Sequence, residues 1–235
     1  MRPIGFSTGA VARGRFREAL EILGAHGVDA VELSALRMEE LAPLISALPA
    51  LELAHFRYVS VHAPSRFGPE EEPYVVEMLR SAADMGFPIV VHPDTLHTPG
   101  MWLPFGRLLL VENMDKRKPV GRTVRELSGI FDSLPEARFC FDIGHARQVD
   151  PSMTEAALLL RAYGEKLVEI HMSEVNTASR HVPISTNAVI AFRYVSHLIP
   201  PGAPIILEPM IDEGQSDIAT EVRRAHACVE SMIEA

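Results

Sequence analysis

Short, unbroken apolar runs recur along the chain, separated by stretches with helical periodicity. The runs cover residues 3–8, 28–34, 58–63, 88–92, 107–112, 138–142, 167–171 and 204–208. They are rich in Val, Ile and Leu and mostly continuous, as expected of parallel strands covered on both faces. Between the first two, Phe16, Ala19, Leu20 and Leu23 fall at i, i+3, i+4 and i+7, one face of a helix over 15–26. The same pattern predicts helices over 38–48, 77–85, 122–134, 154–163, 187–197 and 215–233, with Gly86 and Pro88 closing the one at 77–85. Residues 93–106 leave no room for a full helix, and Pro99, Gly100 and Pro104 break what remains. Eight strands, each followed by a crossover, predict an α/β fold: one (β/α)8 TIM barrel over residues 1–235 with a shortened fourth helix. An open doubly wound sheet would carry a GxGxxG turn after an early strand, and the chain has none. No linker or low-complexity stretch divides it.

Polar residues collect where the runs end. Six of the eight terminate in a group that ligates divalent metals: His62, His92, Glu112, Asp142, His171 and Glu208. Asn113, His145, Arg180 and His181 follow shortly after. A lone His in such a place is ordinarily a satisfied loop residue, and a lone carboxylate a helix cap or rim charge. His26, His55, His197 and His226 take that reading, in helices or at the opposite end, and His97 is evenly balanced. Six run ends sharing the bias is different, because in a barrel they converge on one rim, where chemistry sits. Carboxylates crowded there repel one another unless a cation neutralises them. Imidazole and carboxylate without thiolate suit Zn, Mn, Fe(II), Co or Mg. A divalent metal site is the expectation.

Composition narrows the classes. At 235 residues and 47% hydrophobic, the chain is too apolar for a disordered tail. Its 22 basic and 31 acidic side chains give a charge of −9, which argues against a nucleic-acid binder working through bulk charge. Cys140 and Cys228 form no CxxC pair or disulfide framework, and Cys140 reads as a small buried hydrophobe. No signal peptide is evident in residues 1–10, and no run nears the ~20 residues that span a bilayer. A cytoplasmic protein without a membrane partner is expected. Arg66, Arg122, Arg147, Arg180 and the stretch Asp115, Lys116, Arg117, Lys118 lie in the loops after the runs. Most such charges are solvated. Arg147 and Arg180, nearest the proposed ligands, are the choices for holding a phosphate or carboxylate on a small, anionic substrate. Trp102, with Met101 and Phe105, packs the shortened corner or walls the pocket. A homo-oligomer closing over that flank is compatible with the pattern.

Quoted in order, the pieces are Val61-His62-Ala63-Pro64, Val90-Val91-His92, Val111-Glu112-Asn113, Phe141-Asp142-Ile143-Gly144-His145, Ile170-His171-Met172-Ser173 and Ile206-Leu207-Glu208. From the third run to the eighth, the chain resembles the xylose isomerase-like barrel superfamily, which includes sugar isomerases and epimerases and the endonuclease IV type of DNA-repair enzyme. In the epimerase branch the resemblance implies one metal on Glu112, Asp142, His171 and Glu208. Glu112 and Glu208 then act as the catalytic acid and base on either side of a hydroxy-ketone or hydroxy-aldehyde. The His of the Asp-x-x-His pattern, here His145, would contact substrate, and His62, His92, Asn113, Arg147, Arg180 and His181 are the further candidates for substrate contact. In the endonuclease branch the same four hold one zinc of three, and His62, His92 and Glu112 hold a second. The third needs His145 and an Asp-x-His pair, of which His181 is present but Ser179 replaces the Asp. The expectation is therefore a divalent-metal isomerase or epimerase of a small sugar or sugar phosphate. The alternatives are a multi-zinc phosphoester hydrolase and a non-catalytic metal-binding barrel.

Overall fold

The computed structural model describes residues 2–211 and 217–229. In chain order its elements are β1 Ile4–Ser7, α1 Thr8–Ala12, α2 Phe16–Ala25, β2 Ala30–Ser34, α3 Met38–Ala47, β3 Tyr58–His62, α4 Glu72–Asp84, β4 Ile89–Val91, β5 Leu109–Glu112 and α5 Val124–Ser133. They continue with β6 Arg138–Asp142, α6 Ile143–Val149, α7 Thr154–Tyr163, β7 Leu167–Met172, β8 Glu174–Val175, β9 His181–Val182, α8 Thr186–Ser196, β10 Ile205–Leu207 and α9 Ile218–Val229. Eight strands close into a barrel in the order β1-β10-β7-β6-β5-β4-β3-β2, with all pairs parallel. The (β/α)8 architecture read from the apolar runs is the one observed.

Strand side chains alternate between two environments. Val31 and Leu33, Leu109 and Val111, Phe139 and Phe141 join the large apolar core that the helices cover. Residues between them meet inside the barrel, where a small apolar layer of Val90, Leu110 and Cys140 packs with Val168. Much of the inner surface is polar, including buried Glu32, Ser60, Glu112, Asp142, Glu169 and His171, beside the apolar Ala30 and Ile206. Barrel interiors are ordinarily filled by bulky apolar residues. Here the continuous runs hide a polar inner face, because Glu32 and Glu169 are single breaks in otherwise apolar segments.

Helix starts follow local chemistry. Thr123 caps α5 by accepting from the Glu126 N–H at 3.2 Å, and Ser185 caps α8 through the Ala188 N–H at 3.2 Å. The helix expected at 77–85 begins earlier, at Glu72. Of the one expected at 215–233, α9 covers Ile218–Val229, and residues 215, 216 and 230–233 lie outside the described residues. The fourth connection holds three 3-10 turns, at Pro93–Thr95, Pro99–Met101 and Leu103–Leu108. Trp102 is fully buried there, its Nε1–H donating to Glu72 Oε1 at 2.8 Å, beside the rings of Phe67 and Phe105. It packs the corner and does not wall the pocket. The short helices α1 and α6 and the antiparallel pair β8–β9 go beyond the sequence reading. No helix among the described residues is long and apolar enough to cross a membrane.

Candidate metal centre

Six strands deliver the central side chains at their C-terminal ends. His62 closes β3, His92 follows β4, Glu112 closes β5, Asp142 closes β6 and Glu208 follows β10, while His171 is the penultimate residue of β7. Glu112 stands at the middle. Its Oε2 lies 3.3 Å from both His62 Nε2 and His92 Nε2, and its Oε1 lies 3.3 Å from His145 Nδ1 and 3.4 Å from His171 Nδ1. His171 Nδ1 is 3.5 Å from Glu208 Oε1, and Glu208 Oε2 is 3.3 Å from His181 Nδ1.

Among the described residues, ligand-bearing atoms within 4.8 Å of one another form five sets. Three adjoin at the strand ends: His62, His92 and Glu112; Glu112, Asp142, His171 and Glu208; and Asp142, His145 and His181. Two lie below on His171, one with Glu32 and His62 and one with Cys140 and Glu169. Asp142 Oδ2, His171 Nδ1 and Glu208 Oε2 are buried with no hydrogen-bond partner. Buried polar atoms are almost always satisfied, so three orphans aimed into one cluster fit a cation. The donor set is imidazole nitrogen and carboxylate oxygen, which suits a first-row divalent ion. The residues present therefore fit the metal that the strand ends predict.

Asp142 has a second task. Its Oδ1 accepts the His145 N–H at 2.6 Å and caps α6, so one carboxylate starts the helix that carries His145. Between them Gly144 lets α6 approach β7: a Cβ there would lie 2.4 Å from the Ser173 carbonyl oxygen. His145 Nδ1 also sits 3.0 Å from the Asn113 carbonyl oxygen.

The charges are strongly interdependent. Burial opposes ionisation of Glu112, but the imidazoles around it, His171 first, hold its carboxyl well below the ordinary range. Burial drives the Glu208 carboxyl well up and raises Asp142, against the pull of His171 and His145 respectively. Burial also works against protonation of His62 and His145. The carboxylates of Glu32 and Glu112 nonetheless raise His62 to about 9, and those of Asp142 and Glu112 raise His145 to about 10. Burial and the neighbouring His145 push His181 down to about 3. A cluster with its protons so displaced is a functional-site signature.

A cavity of about 570 Å³ opens over the cluster, with His62, His92, Glu112, His145, His181 and Glu208 in its wall. Asp142 and His171 lie fully buried beneath. Arg66 and Arg180 also line it, both exposed, with no hydrogen-bond or ion-pair partner for either guanidinium among the described residues. They follow β3 and β7, opposite strands of the barrel. Arg117 and Lys118 line it too, but are paired with Asp115 and Asp94, each at 2.8 Å.

Asn113 and Arg147, expected to contact substrate, do not line this cavity. Asn113 is buried with its amide spent on Asp142, donating to the backbone oxygen at 2.8 Å and accepting from the backbone N–H at 2.9 Å. Arg147 pairs with Glu174 at 2.8 Å, and Glu174 also accepts the Ser185 N–H at 3.1 Å. Arg147 therefore braces the β8 strand and is not in the cavity wall. Ser179, where the resemblance calls for an Asp, accepts from Gln148 Nε2 at 2.7 Å and has a left-handed φ of 52°. Glu32 and Glu169, which the sequence pattern does not single out, are both fully buried against His171 Nε2. The available signal was a glutamate within an apolar strand, one of them two residues before a proposed ligand.

No family model matches the chain, and no curated protein matches it in sequence. Among solved structures it is similar to endonuclease IV from Thermus thermophilus, with a TM-score of 0.65 and 20% identity over 97% of this chain and 98% of that one. A xylose isomerase domain protein from Alicyclobacillus acidocaldarius subsp. acidocaldarius has a TM-score of 0.59 and 14% identity, covering 97% and 95%. A dihydropteroate synthase from Xanthomonas albilineans has a TM-score of 0.53 and 15% identity, covering 94% and 90%. What the chain shares with them is the fold, a closed barrel of eight parallel strands ringed by helices.

Proposed function

We propose that this barrel is a divalent-metal-dependent hydrolase of phosphate esters, in which Glu112 would serve two adjacent ligand sets. The observation that carries the reading is the division of labour at that carboxylate. One oxygen faces His62 and His92, and the other faces His171 and His145. A one-metal epimerase has no use for a second set of ligands on the same carboxylate. Adjacent divalent ions supply Lewis-acid charge for phosphoryl oxygens and a nucleophilic water at neutral pH. The chain's own part is positioning. His62 and His92 would complete one position with Glu112, and Asp142, His171 and Glu208 the other. Arg66 and Arg180, which line the cavity after opposite strands of the barrel with no partner among the described residues, suit the anionic groups of a small substrate. With Ser179 held by Gln148, the third set lacks a carboxylate of its own and borrows Asp142.

A second reading, sugar isomerisation or epimerisation on one metal, is favoured by the two glutamates. Glu112 and Glu208 stand at 3.4 and 3.5 Å from the same His171 nitrogen. One could remove a proton alpha to a carbonyl while the other returns it. Elemental analysis with activity assays separates the two. The hydrolase reading expects at least two ions per chain and cleavage of bis-p-nitrophenyl phosphate or p-nitrophenyl phosphate. His92→Ala should remove one ion together with most of that rate. One ion per chain, no phosphoester cleavage and wash-in of solvent deuterium into a ketose would replace it with the epimerase reading. Loss of that exchange in Glu112→Gln and Glu208→Gln would identify the acid and base.

A further inference from the structure

Below the metal cluster, the barrel interior contains a second polar group that plays no part in the chemistry above. His171 Nε2 lies 2.8 Å from Glu169 Oε1 and 3.0 Å from Glu32 Oε2. Glu169 Oε2 accepts the Tyr58 hydroxyl at 2.5 Å, from the start of β3 across the barrel. Glu32 Oε1 is 3.3 Å from Ser34 Oγ, which is 2.5 Å from Ser7 Oγ. Both glutamates and His171 are fully buried. Carboxylates are rarely placed in a barrel interior without a compensating task, because desolvating them is costly.

The imidazole shows what the task is. A metal takes the lone pair of one ring nitrogen, and the hydrogen bond at the other decides which nitrogen is free. With Glu169 Oε1 accepting from Nε2 and the Glu32 carboxylate beside it, the proton is held there and the Nδ1 lone pair faces Glu112 and Glu208. That nitrogen is the one left without a hydrogen-bond partner. Register places the carboxylates for this role. Between β6 and β7 the pairing runs from Phe139↔Leu167 to Cys140↔Glu169, skipping Val168, and Val168 packs instead against Val90, Leu110 and Cys140.

We propose that Glu169, tied to Tyr58, and Glu32 are positioning residues that clamp His171 from below and aim its Nδ1 at the metal. The inference rests on the cluster holding a metal, and it is tested by binding rather than turnover. Cobalt(II) titration of the metal-free protein gives affinity and a visible absorption band that reports ligand geometry. Glu169→Ala should weaken cobalt by about 10–100-fold, the range for such outer partners, and shift the band. Glu169→Gln keeps a carbonyl acceptor for Nε2–H and should restore most of the affinity. Tyr58→Phe leaves both carboxylates in place and should shift the band with a smaller loss. It supplies the same reading should Glu169→Ala fail to fold. A folded Glu169→Ala, or Tyr58→Phe, with wild-type affinity and band would overturn the clamp. So would loss of a whole cobalt equivalent in Glu169→Gln, which would make Glu169, with Cys140 and His171, a ligand set of its own. Failure of the wild-type protein to take up cobalt would instead sink the metal reading beneath it.

Discussion

Protonation at single residues sets what the metal-free site is at neutral pH. His62 and His145, raised to about 9 and about 10 from an ordinary 6.5, carry protons there, while His181, lowered to about 3, does not. Metal needs the neutral imidazole, so loading must expel protons, and affinity should climb with pH until those two groups and His171, which against burial nearby carboxylates hold well above its ordinary value, have titrated. Stability of the metal-free protein should run the other way. A histidine whose pKa is raised on folding contributes stability that is complete below its unfolded value and disappears as pH rises through the folded value. The contributions of His62 and His145 are therefore present near pH 6.5 and lost toward about 9 and about 10. His181 has the opposite sign, since its folded pKa is depressed, and destabilises the fold as pH drops from 6.5 toward about 3. Denaturant unfolding in the presence of a chelator should accordingly give a maximum near neutrality. A flat profile through the alkaline limb would show that the carboxylates do not hold these protons.

At the scale of elements, α6 shows how local backbone chemistry carries the site. It starts on Asp142, presents His145 one turn later and passes over β7 at Gly144. Gly144→Ala would place a methyl group 2.4 Å from the Ser173 carbonyl oxygen, so strand or helix must give way. We expect a destabilisation of about 1–3 kcal/mol, typical of overpacking, and weaker metal binding, read by thermal melting and cobalt titration. Unchanged values for both would mean that the crossing is looser than its geometry. The same element explains what sequence reading captured and what it lost. Strands were legible because their outward residues, such as Val111 and Phe141, join one apolar core. The ligand positions were legible because strand ends converge. Helix α6 is short, with Gly144, His145, Ala146 and Arg147 giving no apolar stripe, and the β8–β9 pair has two residues a side. Periodicity needs more length than either provides. Glu32 and Glu169 were hidden for another reason: hydropathy averages over both faces of a strand, and the outward face supplied enough Val, Leu and Ile to mask the inner one.

For the whole molecule, that asymmetry divides stability between two layers. The continuous apolar core lies between the barrel and its helices, whereas the interior holds only a small apolar layer beneath a crowd of carboxylates and imidazoles. With a formal charge of −9, the chain gains nothing in bulk from further buried anions. Asp142, Glu208 and Glu32 at the cluster, and Glu72 beside the fourth connection, each leave one buried oxygen without a hydrogen-bond partner. A divalent ion bound at the cluster would tie β5, β6, β7 and the residue after β10 at one end of the barrel, on four ligands from different strands. Because such an ion binds the folded chain and finds no comparable set in the unfolded one, it must stabilise the whole molecule. Ion at a hundred times its dissociation constant contributes about 2.7 kcal/mol. At about 2–4 °C per kcal/mol for a chain of this size, that is a rise of several degrees in melting temperature over the chelator-treated protein. The rise should continue with ion concentration and should shrink sharply in His171→Ala, which removes a ligand shared by the fold and the site. Equal melting temperatures with and without zinc, manganese or cobalt would mean that the orphaned oxygens are satisfied by water, and the metal centre would have to be abandoned.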